Sequence, residues 1–215
     1  MDVLGRARAR IYDAAIVPMT AVWYRAVLAR LPPGCRLLDV GIGTGGALLA
    51  NADLVVARDV RVTGVDVDAA YVERCVREVA RHELGDRIEA RRQSVYDHRG
   101  GPYDCAYFSG SFMLLPDPPQ ALRHVRSLLV PGGRMYFTQT FEHEPSPGLE
   151  AVKPLLRLVT TIDFGRVTYE ASFRRALADA GIEIDALEIL ASGPRRSAVL
   201  AVARAGACTT TPDLP

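Results

Sequence analysis

Apolar residues in this chain follow two patterns, short unbroken runs and helical spacing. The run Arg36-Leu37-Leu38-Asp39-Val40 and the run Tyr103 to Ser109 are typical of strands that are buried on both faces of a sheet. Such strands occur when helices cover both sides of a parallel sheet. The predicted strands of this kind cover residues 36–40, 62–66, 87–93, 103–109 and 128–140.

Helical spacing lies between these runs. After Asp66, the apolar residues Val72, Val76 and Val79 predict a helix from about residue 69 to 83, with these three side chains facing the sheet. Asp68 is placed to cap its first turn, and Gly85 to end it. A second helical pattern covers residues 9–31 and is interrupted near Pro18. Its apolar face comprises Tyr12, Ile16, Trp23, Tyr24, Val27 and Leu28.

The C-terminal part breaks the alternation of strand and helix. Residues 182–190 and 197–205 both have the composition of strands, and only six residues separate them. A parallel crossover needs a dozen or more residues, so these two strands must be antiparallel. The sequence therefore predicts a mainly parallel sheet that ends in an antiparallel hairpin.

A glycine-rich segment follows the first predicted strand, and it carries the strongest functional signal. Glycines at a junction of strand and helix permit a tight turn and let a ligand approach the backbone. Gly41, Gly43 and Gly46 satisfy the dinucleotide pattern G-x-G-x-x-G, and Asp66 lies 20 residues further on, where nucleotide-binding folds place a ribose-binding acid. Asp39 argues against a dinucleotide, because a carboxylate at this turn would repel a diphosphate and attract a cation.

Asp39, Gly41, Gly43 and Gly45 together resemble the first motif of the class I S-adenosylmethionine-dependent methyltransferases. Pro131-Gly132-Gly133, within the stretch from residue 128 to 140, is similar to another motif of that family, a turn followed by a strand, and the likeness covers about residues 36–204. The resemblance implies an α/β fold of three layers, a Rossmann-like sheet of seven mostly parallel strands with the C-terminal hairpin. It also implies S-adenosylmethionine as cofactor and S-adenosylhomocysteine as product.

The resemblance assigns a role to each predicted cofactor residue. The glycine turn receives the methionine part, and the Asp66 carboxylate accepts bonds from two ribose hydroxyls. Val67 covers one face of the adenine, while Ser94, or less favourably Asp97, receives its amino group with help from the backbone near Val95. The carbonyl groups of two further residues bind the methionine amino group. These two residues are Ser109 and Gly110.

Length and composition fit one domain, in which 26 basic residues nearly balance 25 acidic ones. The chain therefore lacks the basic excess of a nucleic-acid-binding protein. Its four cysteines have no metal-ligand spacing, which predicts no metal and a reducing, cytoplasmic location, and no secretory signal is visible. We divide the domain into an N-terminal helical cap that acts as a lid (1–33), a cofactor-binding core (34–140), an insertion forming an acceptor lid (141–168), the last helix and hairpin (169–205), and a disordered tail (206–215).

His143 is the candidate general base, because it follows the fifth strand at the edge where ligands bind in such sheets. A base is needed only for an acceptor that carries a proton. The acceptor pocket is predicted to form between the N-terminal helix and the segment after the fourth strand. Its candidate residues are Tyr12, Tyr24, Phe112 and Met113.

Four functions remain open at this point. A methyltransferase acting on an oxygen or nitrogen atom of a small molecule is favoured. A lipid acceptor is the second, with Arg6, Arg8 and Arg10 resting on an anionic membrane. A nicotinamide-dependent oxidoreductase and a non-catalytic cofactor-binding subunit are the third and fourth. The sequence determines neither the acceptor nor the oligomeric state.

Overall fold

The computed structural model describes residues 17–143 and 169–205. Tyr12, Ile16, the arginines of the N-terminal arm, the predicted insertion after residue 143 and the predicted tail lie outside the described residues. No helix within these two ranges is both long enough and apolar enough to cross a bilayer. The strands are β1 (Arg36–Val40), β2 (Arg61–Asp66), β3 (Ile88–Arg92), β4 (Tyr103–Ser109), β5 (Leu129–Glu142), β6 (Ile182–Ser192) and β7 (Arg196–Ala205). The helices are α1 (17–28), α2 (Gly46–Leu49), α3 (Ala52–Ala57), α4 (Ala69–Arg81), α5 (Pro118–Ser127) and α6 (Glu170–Asp179).

The seven strands form one sheet in the order β3-β2-β1-β4-β5-β7-β6. Strands β1 to β5 pair in parallel, and β7 pairs antiparallel with both β5 and β6. The predicted fold class and the predicted C-terminal hairpin are therefore confirmed. The hairpin strands are longer than their sequence pattern indicates, because β6 continues to Ser192 and β7 begins at Arg196.

Helices cover both faces of the sheet, which explains why most residues of the central strands are apolar. Side chains alternate along β1, so that Leu37 joins the core beneath α1 to α4, while Leu38 joins the core beneath α5 and α6. On β4, Tyr107 likewise joins the core beneath α1 to α4, and Phe108 joins the core beneath α5 and α6. The result is the predicted arrangement of three layers.

An aromatic cluster fills the core beneath α5 and α6. Phe108 and Phe137 stack with ring centroids 4.8 Å apart, and Phe112 packs edge-on against Phe137 and Phe173 at 5.6 Å and 5.2 Å. The Phe112 side chain is only 4% exposed. Its place in this cluster differs from the expectation that it lines the acceptor pocket, because α6 arrives from a distant part of the sequence and covers the ring.

The structure confirms the predicted cap of α4, but the helix differs from the prediction in two details. The Asp68 carboxylate accepts hydrogen bonds from the backbone N–H groups of Ala70 and Tyr71 at 2.9 Å and 3.1 Å. Cys75, and not Val76, completes the buried face, because both positions are compatible with helical spacing and the sheet meets the side of residue 75. The helix ends before Gly85, since Glu83 adopts the left-handed conformation with φ 55°.

The Pro131-Gly132-Gly133 segment lies within β5, as the predicted strand over residues 128–140 implies. Tyr103 pairs with Leu129, whereas Cys105 pairs with Arg134, so the intervening residues of β5 form a bulge. Gly132 takes φ 79° in that bulge. The bulge restores the register, and β5 then continues to the carboxyl edge of the sheet.

Candidate functional site

The order of the strands reverses between β1 and β4, and this switch point locates the candidate site. In open α/β sheets, ligands bind beyond the carboxyl ends of the strands at such a point. The turn from β1 to α2, the end of β2 and the end of β4 all meet there. Helix α1 borders the same region, because Tyr24 packs edge-on against Tyr107 with ring centroids 4.9 Å apart.

The glycine turn shows which of its glycines are structurally required. Gly41, Gly43 and Gly45 have φ values of 83°, 60° and 73°, which is the left-handed region that favours glycine. A Cβ atom on Gly41 would lie 2.5 Å from Ser111 Cβ, and one on Gly45 would lie 2.5 Å from Cys75 Sγ. Gly46 instead begins α2. The turn thus uses the glycine spacing of the methyltransferase motif.

Asp66 holds the glycine turn against the end of β2. Its Oδ2 atom accepts a hydrogen bond from the Gly43 N–H at 3.0 Å, and its Oδ1 atom accepts one from the Asp68 N–H at 2.9 Å. A carboxylate has about four lone-pair positions, so both oxygens retain the capacity to accept a further bond. The half-buried carboxylate fits the predicted role of binding two hydroxyl groups of a ribose.

The residues that the sequence predicts to lie near an adenine differ in their exposure. The Val67 side chain is apolar, yet it is 68% exposed. This exposure is compatible with the predicted role of covering one face of a ligand ring. Ser94 caps the short helical turn Val95–Asp97 by accepting a hydrogen bond from the Tyr96 N–H at 3.3 Å. The Val95 side chain is buried in the core, so only its backbone is able to meet an adenine.

A small recess of about 20 Å³ lies between the glycine turn, α1 and the end of β4. Thr44 and Ser109 line it, together with Tyr24 and Thr20. The Ser109 hydroxyl is buried and makes no hydrogen bond within the described part of the chain. Gly110 follows with φ 64°, and its N–H donates to the Thr138 carbonyl at 2.7 Å. A buried hydroxyl without a partner at a recess is able to bind a polar ligand group.

Asp39 is the most unusual group of the site, because its side chain is fully buried. Its Oδ2 atom accepts a hydrogen bond from the Tyr24 hydroxyl at 2.7 Å. Its Oδ1 atom has no hydrogen-bond partner among the described residues. Burial raises the pKa of this carboxyl to about 7; the Tyr24 bond opposes the rise, and the nearby charge of Asp66 adds to it.

These features fit the predicted cofactor better than a dinucleotide. Among the described residues that line the recess, none has a basic side chain. Asp39 is bonded to Tyr24, which lines the recess, and Asp66 is bonded to Gly43 of the adjoining glycine turn. A diphosphate would meet two carboxylates there, whereas the sulfonium and ammonium groups of S-adenosylmethionine would be attracted. Within the described ranges, no cluster of three or more histidine, cysteine or acidic side chains is placed to hold a metal ion.

His143 lies at the carboxyl end of β5, as its sequence position predicts, and its side chain is exposed. Its Nε2 atom lies 2.8 Å from the Ser197 hydroxyl oxygen, and its backbone N–H donates to the Arg195 carbonyl at 2.9 Å. The ring is thus oriented by the first residues of β7. The other candidate acceptor residues do not form one group. The Tyr24 hydroxyl is bonded to Asp39, and Met113 is half-buried. Tyr12 lies outside the described residues.

Sequence reasoning missed two contributors. Thr44 is 1% exposed and lines the recess, and its position inside a glycine-rich turn is a signal that could have identified it. The bond between Tyr24 and Asp39 joins residues 15 positions apart on different elements. No spacing rule connects a helix to the following strand in this way.

The fold and the site therefore define a cofactor-binding α/β domain of the methyltransferase type. A family model described as a methyltransferase domain matches residues 19–187. The chain belongs to the family of S-adenosylmethionine-dependent methyltransferases.

Two curated relatives illustrate the similarity. The chain is 29% identical over 170 residues to a 27-O-demethylrifamycin SV methyltransferase of Amycolatopsis mediterranei, covering 78% of this chain and 61% of the relative. It is 30% identical over 168 residues to a ubiquinone biosynthesis O-methyltransferase of Xanthomonas axonopodis pv. citri, covering 74% of this chain and 67% of the relative. The chain thus spans about two thirds or less of the length of these relatives.

Solved structures share the fold at low sequence identity. The [4+2]-cyclase SpnF superposes with a TM-score of 0.72 at 20% identity, covering 86% of this chain and 81% of that one. A geranyl diphosphate methyltransferase in complex with S-adenosylmethionine superposes with a TM-score of 0.68 at 16% identity, covering 86% of this chain and 85% of that one. At these identities the likeness concerns the fold alone.

Asp39→Asn is expected to change how stability depends on pH. The folded-state pKa of Asp39 lies near 7, above the ordinary value of 3.8, so the folded protein holds this proton more tightly than the unfolded chain. The wild type therefore loses stability as the pH rises through that interval, by about 2 to 3 kcal/mol relative to the variant between pH 5 and pH 8. Urea unfolding of both proteins at the two pH values measures the difference. Parallel pH profiles would contradict it.

Proposed function

We propose that this chain transfers a methyl group from S-adenosylmethionine to an oxygen or nitrogen atom of a small-molecule acceptor. The observation that carries the proposal is the glycine turn with the carboxylates of Asp39 and Asp66 bonded around it, beside a recess at which no described residue has a basic side chain. The names of the two curated relatives favour oxygen as the atom methylated. The near balance of 26 basic and 25 acidic residues does not favour a nucleic-acid acceptor.

The cofactor, when bound, supplies a methyl carbon that is already activated by a positively charged sulfur. The residues of this chain then have to align the acceptor behind that carbon and exclude water, which is the main requirement of an in-line displacement. Asp66 and Val67 hold the nucleoside end in this proposal, with Ser94 and the backbone of Val95 at the adenine. The methionine end lies on the turn of Gly41, Gly43 and Gly45, beside Asp39 and the backbone carbonyls of Ser109 and Gly110.

We assign His143 as the general base for an acceptor that carries a proton. If its Nε2–H donates to the Ser197 hydroxyl, the Nδ1 atom keeps its lone pair and is able to accept the acceptor's proton. Ser197 is then a positioning residue, because it fixes the tautomer and the plane of the ring. The exposed position of His143 at the carboxyl end of β5 leaves Nδ1 accessible to an acceptor.

Methyl transfer is testable before the acceptor has been identified. The purified chain is incubated with a metabolite extract and S-adenosylmethionine whose methyl group is isotopically labelled, and the mixture is searched by mass spectrometry. We expect a product that is heavier than its precursor by one labelled methyl group in place of a hydrogen atom. The Asp66→Ala variant, assayed at a cofactor concentration near the wild-type Kd, is expected to give far less product. Absence of any labelled product from the wild type, with the cofactor shown to bind, would contradict the proposal.

A lipid acceptor is the second candidate, and the similarity to a ubiquinone biosynthesis O-methyltransferase is the observation that favours it. In this case an anionic membrane surface would hold the chain near its acceptor, with the arginines at residues 6, 8 and 10 as contacts. Sedimentation with vesicles containing anionic phospholipid distinguishes the two candidates. A protein that stays in the supernatant at low salt would exclude the membrane-bound form of the reaction.

A further inference from the structure

The bond between Tyr24 and Asp39 links α1 to the cofactor turn, and it has a consequence for ligand binding. The titratable groups that face Asp39 come from four elements. They are the Tyr24 hydroxyl of α1, the Asp66 carboxylate of β2, the Cys75 thiol of α4 and the Tyr107 hydroxyl of β4. None of these groups is able to carry positive charge, so Asp39 has no counter-ion within residues 17–143 and 169–205.

A buried carboxylate without a counter-ion is stable only if it takes up a proton or meets a cation. Asp39 is able to take up a proton or meet a cation at one oxygen. Its Oδ2 atom is bonded to Tyr24, whereas its Oδ1 atom has no hydrogen-bond partner in the described part of the chain. Burial places the pKa of Asp39 at about 7, so the protonated and ionised forms are both populated in the free protein at neutral pH.

The ligand brings the charge that the protein lacks. S-adenosylmethionine carries a sulfonium and an ammonium group, and S-adenosylhomocysteine carries the ammonium group alone. Tyr24 lines the recess and is bonded to Asp39, so either cation held there would stabilise the ionised form of Asp39 and lower the pKa of Asp39 in the complex. The proton that Asp39 carries in the free protein is then released to solvent as the ligand binds.

We propose that Tyr24 is a positioning residue which holds Asp39 in its ionised form, and that cofactor binding is coupled to loss of a proton from Asp39. The inference rests on the proposed cofactor site but not on the identity of the acceptor. It makes ligand affinity depend on pH through a hydrogen bond from the N-terminal helix, a contact outside the glycine motif itself.

The wild type sets the baseline of the test. Isothermal titration with S-adenosylhomocysteine, which is not turned over, is carried out from pH 6 to pH 9 in pairs of buffers with different ionisation enthalpies. With an Asp39 pKa of about 7, we expect release of nearly one proton at pH 6, about half a proton at pH 7 and little at pH 8. The affinity should fall about tenfold from pH 8 to pH 6.

Tyr24→Phe removes the hydroxyl and keeps the ring that packs against Tyr107. A hydrogen bond to a charged group contributes about 1.5 to 3 kcal/mol, so its loss should move the pH profile upward by about one to two pH units. The affinity of the variant is expected to be about five- to fiftyfold lower at pH 7 and to recover substantially by pH 9. Tyr103→Phe is the matched control, since Tyr103 is also buried and its hydroxyl is bonded to the His98 ring 2.7 Å away, near the start of β4. We expect that control to keep the wild-type profile.

The outcomes separate this inference from the proposed function. An affinity loss in Tyr24→Phe that is equal at every pH would mean that Tyr24 acts only through packing, and it would overturn the inference. A wild type that binds the ligand with a flat pH profile and releases no proton would overturn it too, while leaving the cofactor site intact. A wild type that binds neither S-adenosylhomocysteine nor S-adenosylmethionine at any pH would contradict the proposed function and, with it, the inference.

Discussion

Replacing His143 by alanine is expected to lower the rate of methyl transfer about a hundred- to ten-thousandfold, the usual range for loss of a general base. Cofactor affinity should be unchanged, because no described contact joins His143 to the glycine turn or to Asp66. The measurement compares initial rates with the acceptor found in the extract, together with calorimetric titration of S-adenosylhomocysteine.

His82→Ala is the matched control for that experiment. His82 is also exposed, but it ends α4, where its ring bonds to the Glu78 carbonyl at 2.9 Å. We expect it to retain the full rate. Ser197→Ala should fall between the two, because the ring of His143 loses the partner that orients it. A His143→Ala variant with the wild-type rate would reduce His143 to a surface residue of the β5–β7 edge.

Replacing Asp66 by alanine is expected to weaken cofactor binding by about 3 kcal/mol, or roughly two orders of magnitude. Two charge-assisted hydrogen bonds to the ribose would be lost. The bonds that Asp66 accepts from the N–H groups of Gly43 and Asp68 would be lost as well, which loosens the glycine turn. Calorimetric titration of S-adenosylhomocysteine at pH 8 measures the change.

Asp53→Ala is the control for loss of one negative charge, since Asp53 lies on α3 and forms only an exposed ion pair with Arg25 in the described structure. That variant should bind as the wild type does. Circular dichroism of Asp66→Ala verifies that the domain remains folded. Unchanged affinity in a folded Asp66→Ala protein would show that the cofactor does not lie against the end of β2.

Local sequence was sufficient to predict the elements whose causes are local. The glycine turn was identified because Gly41, Gly43 and Gly45 each need a backbone conformation that other residues rarely adopt. The cap of α4 was identified because the Asp68 carboxylate reaches N–H groups only two and three residues ahead. The hairpin followed from a connection too short for any parallel crossover.

Local sequence did not predict the burial of a residue correctly where two positions fitted the same pattern, or where an element distant in the sequence determined the burial. Val76 and Cys75 both suit helical spacing, and only the position of the sheet selected Cys75. Phe112 follows a strand end near the expected ligand site, but Phe173 of α6 packs against it and makes it a core residue. The hydrogen bond that Tyr24 donates to Asp39 was not predicted, because it joins two elements that only the tertiary structure brings together.

The sequence by itself determined the class of the fold, the position of the cofactor turn and the two carboxylates beside it, because these depend on short-range geometry and on the order of elements along the chain. The tertiary structure alone decided the electrostatic state of the site. Helix α1 and the sheet enclose Asp39, remove water from it and leave Tyr24 as the donor to one of its oxygens. Burial of a charge is a property of the packed molecule, because it depends on every element that excludes solvent from that point.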